Sequence, residues 1–267
     1  MTEHSDSVRD LPPPRLYKYR TLFRPQFERD RDIIVGNRLW AGSPLAFNDP
    51  FDCFPYVDLS ASERERQQWV RRYGLRHFGA KPRHERRRIA KEIKRGLSIA
   101  FRKEPAQADA GAQDAWRDVL ANTGVVSLAE CPDDMLMWGY YADSHHGYCL
   151  EFSTQEEPFM QAHRVRYAEN RPVYRPFDPD RSELMERLLL QKATFWQHER
   201  EWRIARPKGV GVLEFPSKAL TAIILGANVS FDEETALRQI AREREEPIAI
   251  KRATLAAKTF SLSIVNA

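Results

Sequence analysis

The chain changes its periodicity twice, and this constrains its fold more than any other feature. "RLYKYR" at 15–20 alternates with the two-residue period of a strand, with Leu16, Lys18 and Arg20 on one face and Tyr17 and Tyr19 on the other. From Ser62 to about Lys103 the spacing becomes helical. Ile89, Ile93, Leu97 and Phe101 recur every four residues with arginines and lysines between them, and Trp69 and Tyr73 repeat likewise in an earlier helix before "GAKPR". From "TGVVSLAE" at 123–130 strand-like segments return: "HHGYCLEFS", "RVRYAE", "EREWRIA", "TAIILGA" and "PIAIKRATL".

Strand-rich ends with helices between them predict an α+β or mixed α/β architecture. The expected organisation is a flexible lead-in at 1–14, closed by Pro12-Pro13-Pro14, and a single domain at 15–267 carrying a basic helical insertion at about 62–118. "LFRPQFERDRDII" predicts a short helix, Gly36-Asn37 a turn and "RLWAG" a strand. "SPLAFNDPFD" and "PAQADAGAQDA" (105–115) read as loops, and "DDMLMWGYYAD" as a short helix. Ser182 is placed to cap a helix with Leu184, Leu188 and Phe195 on its face. Ser230 with Glu233 three residues on has the spacing of a capping box.

Net charge is +4, unevenly distributed: residues 64–103 hold fifteen Lys/Arg against three Asp/Glu, a local +12 that leaves −8 elsewhere. Such a block suits an acidic partner, nucleic acid or acidic protein, with Arg86, Arg87, Arg88, Lys91, Lys94 and Arg95 as contact candidates; otherwise it is a solvated helical face. The longest apolar run, "ALTAIILGA" at 219–227, suits a buried strand and not a membrane span. The acids and prolines of "MTEHSDSVRDLPPPR" do not make a secretory signal. Three cysteines without a CxxC indicate neither a disulfide framework nor a zinc site, so a reduced, cytosolic protein without a structural metal is expected. Dinucleotide, Walker, zincin and nucleophile-elbow motifs are absent from the sequence.

Three stretches could carry chemistry. In "HEREWRI" strand period puts Glu199, Glu201 and Arg203 on one face and Trp202 and Ile204 on the other. Carboxylates two residues apart stand roughly 7 Å apart along a strand, a placement for charge stabilisation and for activating a nucleophile. The alternative is three groups pairing loosely in solvent. In "FNDPFD", Asn48, Asp49 and Asp52 suit a turn anchored by Phe47 and Phe51, or a magnesium site using the two aspartates. In "MWGYYADSHHG", Trp138, Tyr140 and Tyr141 could wall a pocket, with one of His145 and His146 as its polar handle, or simply pack in a core.

Taken in order, "LYKYR", "FNDPFD", "VVSLAE…DDMLMWGYYADSHHG" and "HEREWRI" resemble a bacterial family of domains of unknown function, over most of residues 15–226. Their order is also similar to that of ADP-ribosyltransferases of the Arg–Ser–Glu type, which carry an arginine on a first strand, Ser-x-Ser mid-chain and E-x-E late. That resemblance implies split mixed sheets with NAD as substrate in a cleft at the seam of two small sheets. Arg20, with Tyr17 beside it, would hold the NAD phosphates; Ser127 would steady the site; Tyr140 or Tyr141 would stack on the nicotinamide, with His145 nearby. Glu201 would stabilise the oxocarbenium-like state and Glu199 would prepare the acceptor. Ala129 occupies the position of the second serine. The implied activity is that of a toxin or defence effector. A non-enzymatic nucleic-acid-binding or partner-sensing module and a magnesium-dependent nuclease are the other expectations.

Overall fold

The structure, a computed structural model, describes residues 10–22, 24, 27–103, 105–178, 184–206 and 208–267, without the side chains at 98–103 and 105–109. In chain order, β1 (Arg15–Arg20), α1 (Glu28–Ile34), β2 (Arg38–Ala41) and β3 (Tyr56–Val57) precede three helices, α2 (Glu63–Phe78), α3 (Arg83–Lys103) and α4 (Pro105–Ala121). Next come β4 (Gly124–Ala129), α5 (Met135–Tyr141), β5 (Tyr148–Ser153), β6 (His163–Arg164), β7 (Arg166–Ala168) and β8 (Val173–Tyr174). The last part holds α6 (Leu184–Leu189), β9 (Gln191–Ala193), β10 (Glu201–Arg206), β11 (Gly211–Glu214), β12 (Leu220–Leu225), α7 (Phe231–Arg242), β13 (Ala249–Leu255) and β14 (Leu262–Asn266).

Eight of these strands make one sheet in the order β14-β13-β12-β5-β1-β4-β10-β6, antiparallel except for the β12/β13 pair. The alternation in the sequence sets its two faces. Leu16, Leu128, Leu150, Phe152, Trp202, Ile204 and Ile223 bury one face against Ile33 and Ile34 of α1 and Leu237 and Ile240 of α7. Tyr19, Ala129, Cys149, Ile224 and Ala253 bury the other against Met137 and Trp138 of α5. Trp138 is fully buried, and Asp134 caps its helix by accepting from the Leu136 and Met137 amides.

The sheet is nearly two. β1 pairs with β5 along all six residues, and β4 with β10 along all six, but β1 meets β4 at the single pair Tyr17↔Ala129. Beyond that pair the two strands part. The seam therefore lies inside one hydrogen-bonded sheet, and the small β2/β11 pair stands beside it, bridged to β4 at Gly42↔Val125.

Several local expectations need correction. Residues 105–115 are helical, the first part of α4, because alanines favour helix even without an apolar stripe. Its last turns anchor the helical block: Trp116 and Leu120 are buried against Cys53, Leu184 and Leu188. "RVRYAE" is two short pieces, β6 and β7, broken at Val165. Phe195 is exposed on a 3-10 turn and not on the face of a helix; Ser182 lies outside the described residues. A last strand, β14, goes beyond the sequence reading. The capping box of Ser230 with Glu233 forms as expected. Pro13 and Pro14, in the lead-in, accept hydrogen bonds from Thr154.

Candidate functional site

A cavity of about 880 Å³ opens where β1 and β4 part, toward the upper end of the roughly 300–1,000 Å³ usual for small-molecule sites. One wall is β1, with Tyr17, Lys18 and Arg20; the other is β4, with Val125, Ser127 and Ala129. α1 and β2 close one side, and Tyr141, Lys192, Glu199 and Glu201 form the far end.

The acid end is a buried ionic cluster. The Arg203 guanidinium forks onto Glu201, Nε to Oε1 at 2.7 Å and Nη2 to Oε2 at 2.8 Å, and its Nη2 also donates to Asp52 Oδ2 at 2.7 Å. Its Nη1 donates to the Leu189 carbonyl at 2.6 Å. Lys192 Nζ lies 2.5 Å from Glu199 Oε2, 3.2 Å from Glu201 Oε2 and 3.4 Å from Asp52 Oδ2. Tyr141 donates its hydroxyl to Glu199 Oε1 at 2.6 Å and accepts from Asn48 Nδ2 at 3.1 Å. Three carboxylates and two cations thus share one pocket out of water, where a charge survives only if paired. Burial opposes the Glu201 charge, yet Arg203 and Lys192 outweigh it and bring the carboxyl down to about 2. Burial opposes the Lys192 charge as well, and Glu201, Glu199 and Asp52 overcome it, moving its pKa upward. Glu201 is therefore held as a carboxylate through the neutral range.

The local sequence explains the placement. β10 begins at Glu201, so Glu201 and Arg203 share a face with Ser127 and Ala129 on the paired β4. Glu199 is not on that strand: it ends a 3-10 turn, and Arg200 takes a left-handed conformation (φ 43°) between the two acids. The turn tilts Glu199 toward Tyr141 and Lys192. The basic end is simpler. Lys18 Nζ donates to the Ser127 carbonyl at 2.8 Å, across the gap between the half-sheets. Arg20 Nε is buried without a hydrogen-bond partner. Gly147 is required here, since a Cβ would stand 2.2 Å from the Arg20 carbonyl.

Of the residues singled out from sequence, Arg20, Tyr17, Ser127, Tyr141, Glu199 and Glu201 converge on this cavity. Tyr140 and His145 do not. Tyr140 is 64% exposed, one helical step away from Tyr141. His145 stacks on Trp138 at 6.1 Å, held by three consecutive left-handed residues, Asp143, Ser144 and His145 itself. Asp52 is taken by Arg203 and Lys192, and Asp49 accepts from the Phe51 amide within its own turn. Among the described residues no group of three His, Cys, Asp or Glu is disposed to hold a metal ion, and no helix is long and apolar enough to cross a membrane.

In the basic block, Arg87, Arg88, Lys91, Lys94 and Arg95 are exposed while Ile89, Ile93 and Leu97 are half-buried. Arg88 lies 3.9 Å from Glu92, Lys94 3.0 Å from Glu63, and Arg86 donates to the Gly79 carbonyl at 3.3 Å. Sequence reasoning missed Lys192 and the cleft role of Lys18. The signal for Lys192 was a single cation inside the apolar run "LLLQKATFW", where a buried charge demands partners. Comparison with protein-family models, with curated proteins and with solved structures gave no match.

Proposed function

We propose that the protein is an ADP-ribosyltransferase-like enzyme that consumes NAD in the cleft at the split of its sheet. The observation that supports this reading is that Arg20, Ser127 and Glu201 stand on the neighbouring strands β1, β4 and β10 and line one cavity. In this reading the diphosphate lies at Arg20. The bond from ribose C1′ to the nicotinamide nitrogen breaks, its electron pair leaves with nicotinamide, and the ionised Glu201 stabilises the positive charge left on the ribose. Ser127 and the Arg203 fork hold Glu201 in place. The acceptor nucleophile then bonds to C1′ and its proton passes to Glu199, which Tyr141 and Lys192 orient.

The test is release of free nicotinamide from NAD, with total RNA and total protein offered as acceptors. Wild-type protein is expected to release it, and Glu201→Gln to lose about 100-fold or more, the scale for removing one preorganised charge-stabilising group. Ser127→Ala, which leaves the ion cluster intact, is expected to lose less. Intact NAD with every acceptor would overturn the reading. A second reading, a nucleic-acid-binding module, is favoured by the exposed cationic row of α3, and the two are compatible if the acceptor is nucleic acid.

A further inference from the structure

Two cations of the cleft make no ion pair with a carboxylate among the described residues. Lys18 and Arg20 stand two residues apart on β1 and therefore share a face. No ion pair engages either of them among the described residues, whereas Arg38 across the cavity is paired with Asp32 at 3.1 Å. The Lys18 ammonium has the neutral Ser127 carbonyl as its hydrogen-bond partner, and Arg20 Nε has none. Both residues also line a second chamber of about 460 Å³, which shares Tyr19 and Tyr141 with the first and is edged by Arg24. Half-buried like charges with no carboxylate in direct contact repel one another and lose hydration, a cost that the more distant Glu201 charge offsets only in part.

We propose that Lys18 and Arg20 together form a diphosphate-binding pair, in which Lys18 is the specificity-determining partner for a doubly charged phosphoanhydride. Residues two apart on a strand stand roughly 7 Å apart, a spacing that lets an ammonium and a guanidinium hold the two phosphoryl groups of one diphosphate from the same side. The guanidinium offers a planar fork and the ammonium a mobile point charge. On binding, Lys18 exchanges the Ser127 carbonyl for a phosphate oxygen, and the orphaned Arg20 Nε gains an acceptor. The inference rests on the transferase reading for the identity of the ligand, a dinucleotide, but not for the anion chemistry of the pair.

The surroundings of Lys18 make this pair sensitive to pH. Burial first, then the Arg20 charge, lower its pKa to about 8, with Glu201 of β10 and Cys149 of β5 acting in the opposite sense. Across the cavity, Glu28, Arg29 and Asp32 of α1 and Arg38 of β2 line the wall, and the buried Asp30 of α1 accepts from the hydroxyl of Tyr148, the β5 neighbour of Arg20. Lys18 is a cation below pH 8 and loses its charge above it, so affinity for a diphosphate falls as pH rises through that value.

The experiment measures dissociation constants of ADP-ribose, whose diphosphate does not titrate in this range, and of inorganic pyrophosphate at pH 7 and pH 9. The proteins are wild type, Lys18→Arg and Lys18→Met, each checked for folding by thermal unfolding. Wild type is expected to bind ADP-ribose about tenfold more weakly at pH 9. Lys18→Arg is expected to keep its pH 7 affinity at pH 9, and Lys18→Met to bind about ten- to a hundredfold more weakly than wild type at pH 7, the range for losing a hydrogen bond to a charged group, with no further loss at pH 9. Pyrophosphate binding that needs Lys18, with no binding of ADP-ribose or NAD, would keep the anion pair and remove the transferase reading. ADP-ribose binding that is equal in wild type and Lys18→Met would overturn the inference and leave that reading standing. Binding of neither probe would overturn the inference.

Discussion

Glu201 joins two duties at one carboxylate, holding a buried ion cluster together and presenting a fixed negative charge to the cleft. Removing that charge breaks the Arg203 fork, although Asp52 still pairs with Arg203 and Lys192, and Glu199 with Lys192. Glu201→Gln is therefore expected to cost about 1.5–3 kcal/mol in urea unfolding, the scale of hydrogen bonds to charged groups, while Ser127→Ala, which removes the hydrogen bond between its hydroxyl and Glu201, costs about 1 kcal/mol. Arg203→Lys cannot reproduce the fork onto Glu201 with a single point charge and is expected to destabilise as well. The Glu201 pKa, about 2 when folded against an ordinary 4.5, gives stability that is complete above pH 4.5 and is lost as pH falls toward 2. Lys18 shifts stability in the same direction with pH, but in a higher window and by relief of a cost. Its charge is disfavoured by folding, so its cost is full below pH 8 and is relieved as pH rises from about 8 toward 10.5.

At the scale of elements, α4 is the anchor of the helical block. Trp116 is 4% exposed and donates its indole N–H to the Cys53 carbonyl at 2.9 Å. Trp116→Ala is expected to cost about 3–5 kcal/mol, read as a fall in unfolding midpoint. The outward row of α3 carries a separate expectation. If it contacts nucleic acid, Arg87→Glu, Lys91→Glu and Arg95→Glu together weaken binding and flatten the salt dependence by roughly one unit of slope per lost phosphate contact. Unchanged binding to RNA and DNA would mean the row is only a solvated face. Elements with a clear pattern were legible in the sequence: β1 and β10 follow from two-residue alternation, β12 from its apolar run and α3 from its Ile89–Ile93–Leu97 stripe, while β4 and β5 read as strand-like segments. The start of α4 was not, because alanines carry propensity without a pattern. The position of Glu199 was not, because the left-handed Arg200 breaks the alternation of "HEREWRI" while leaving its letters strand-like. Lys192 and Asp52 became partners only through pairing across more than a hundred residues, which single-sequence spacing does not encode.

For the whole molecule, the decisive feature is a sheet that nearly divides. One residue pair, Tyr17↔Ala129, joins two well-paired halves, and the cavity occupies the space beyond it. The two halves contribute opposite chemistry: from β1 the cations Lys18 and Arg20, without an ion pair among the described residues, and from β10 and its neighbours a fixed acid cluster. A dinucleotide spanning that gap would tie the halves together. NAD at 100 times its dissociation constant is then expected to add about 2.7 kcal/mol to stability, visible as a melting temperature that climbs with ligand concentration and does so less in Arg20→Met. The most direct test of the central claim is a crystal structure determined with NAD bound. The account predicts the diphosphate within hydrogen-bond distance of Arg20 and Lys18 and the nicotinamide ribose against Glu201. NAD seated elsewhere, or a cleft without ligand at saturating NAD, would contradict it.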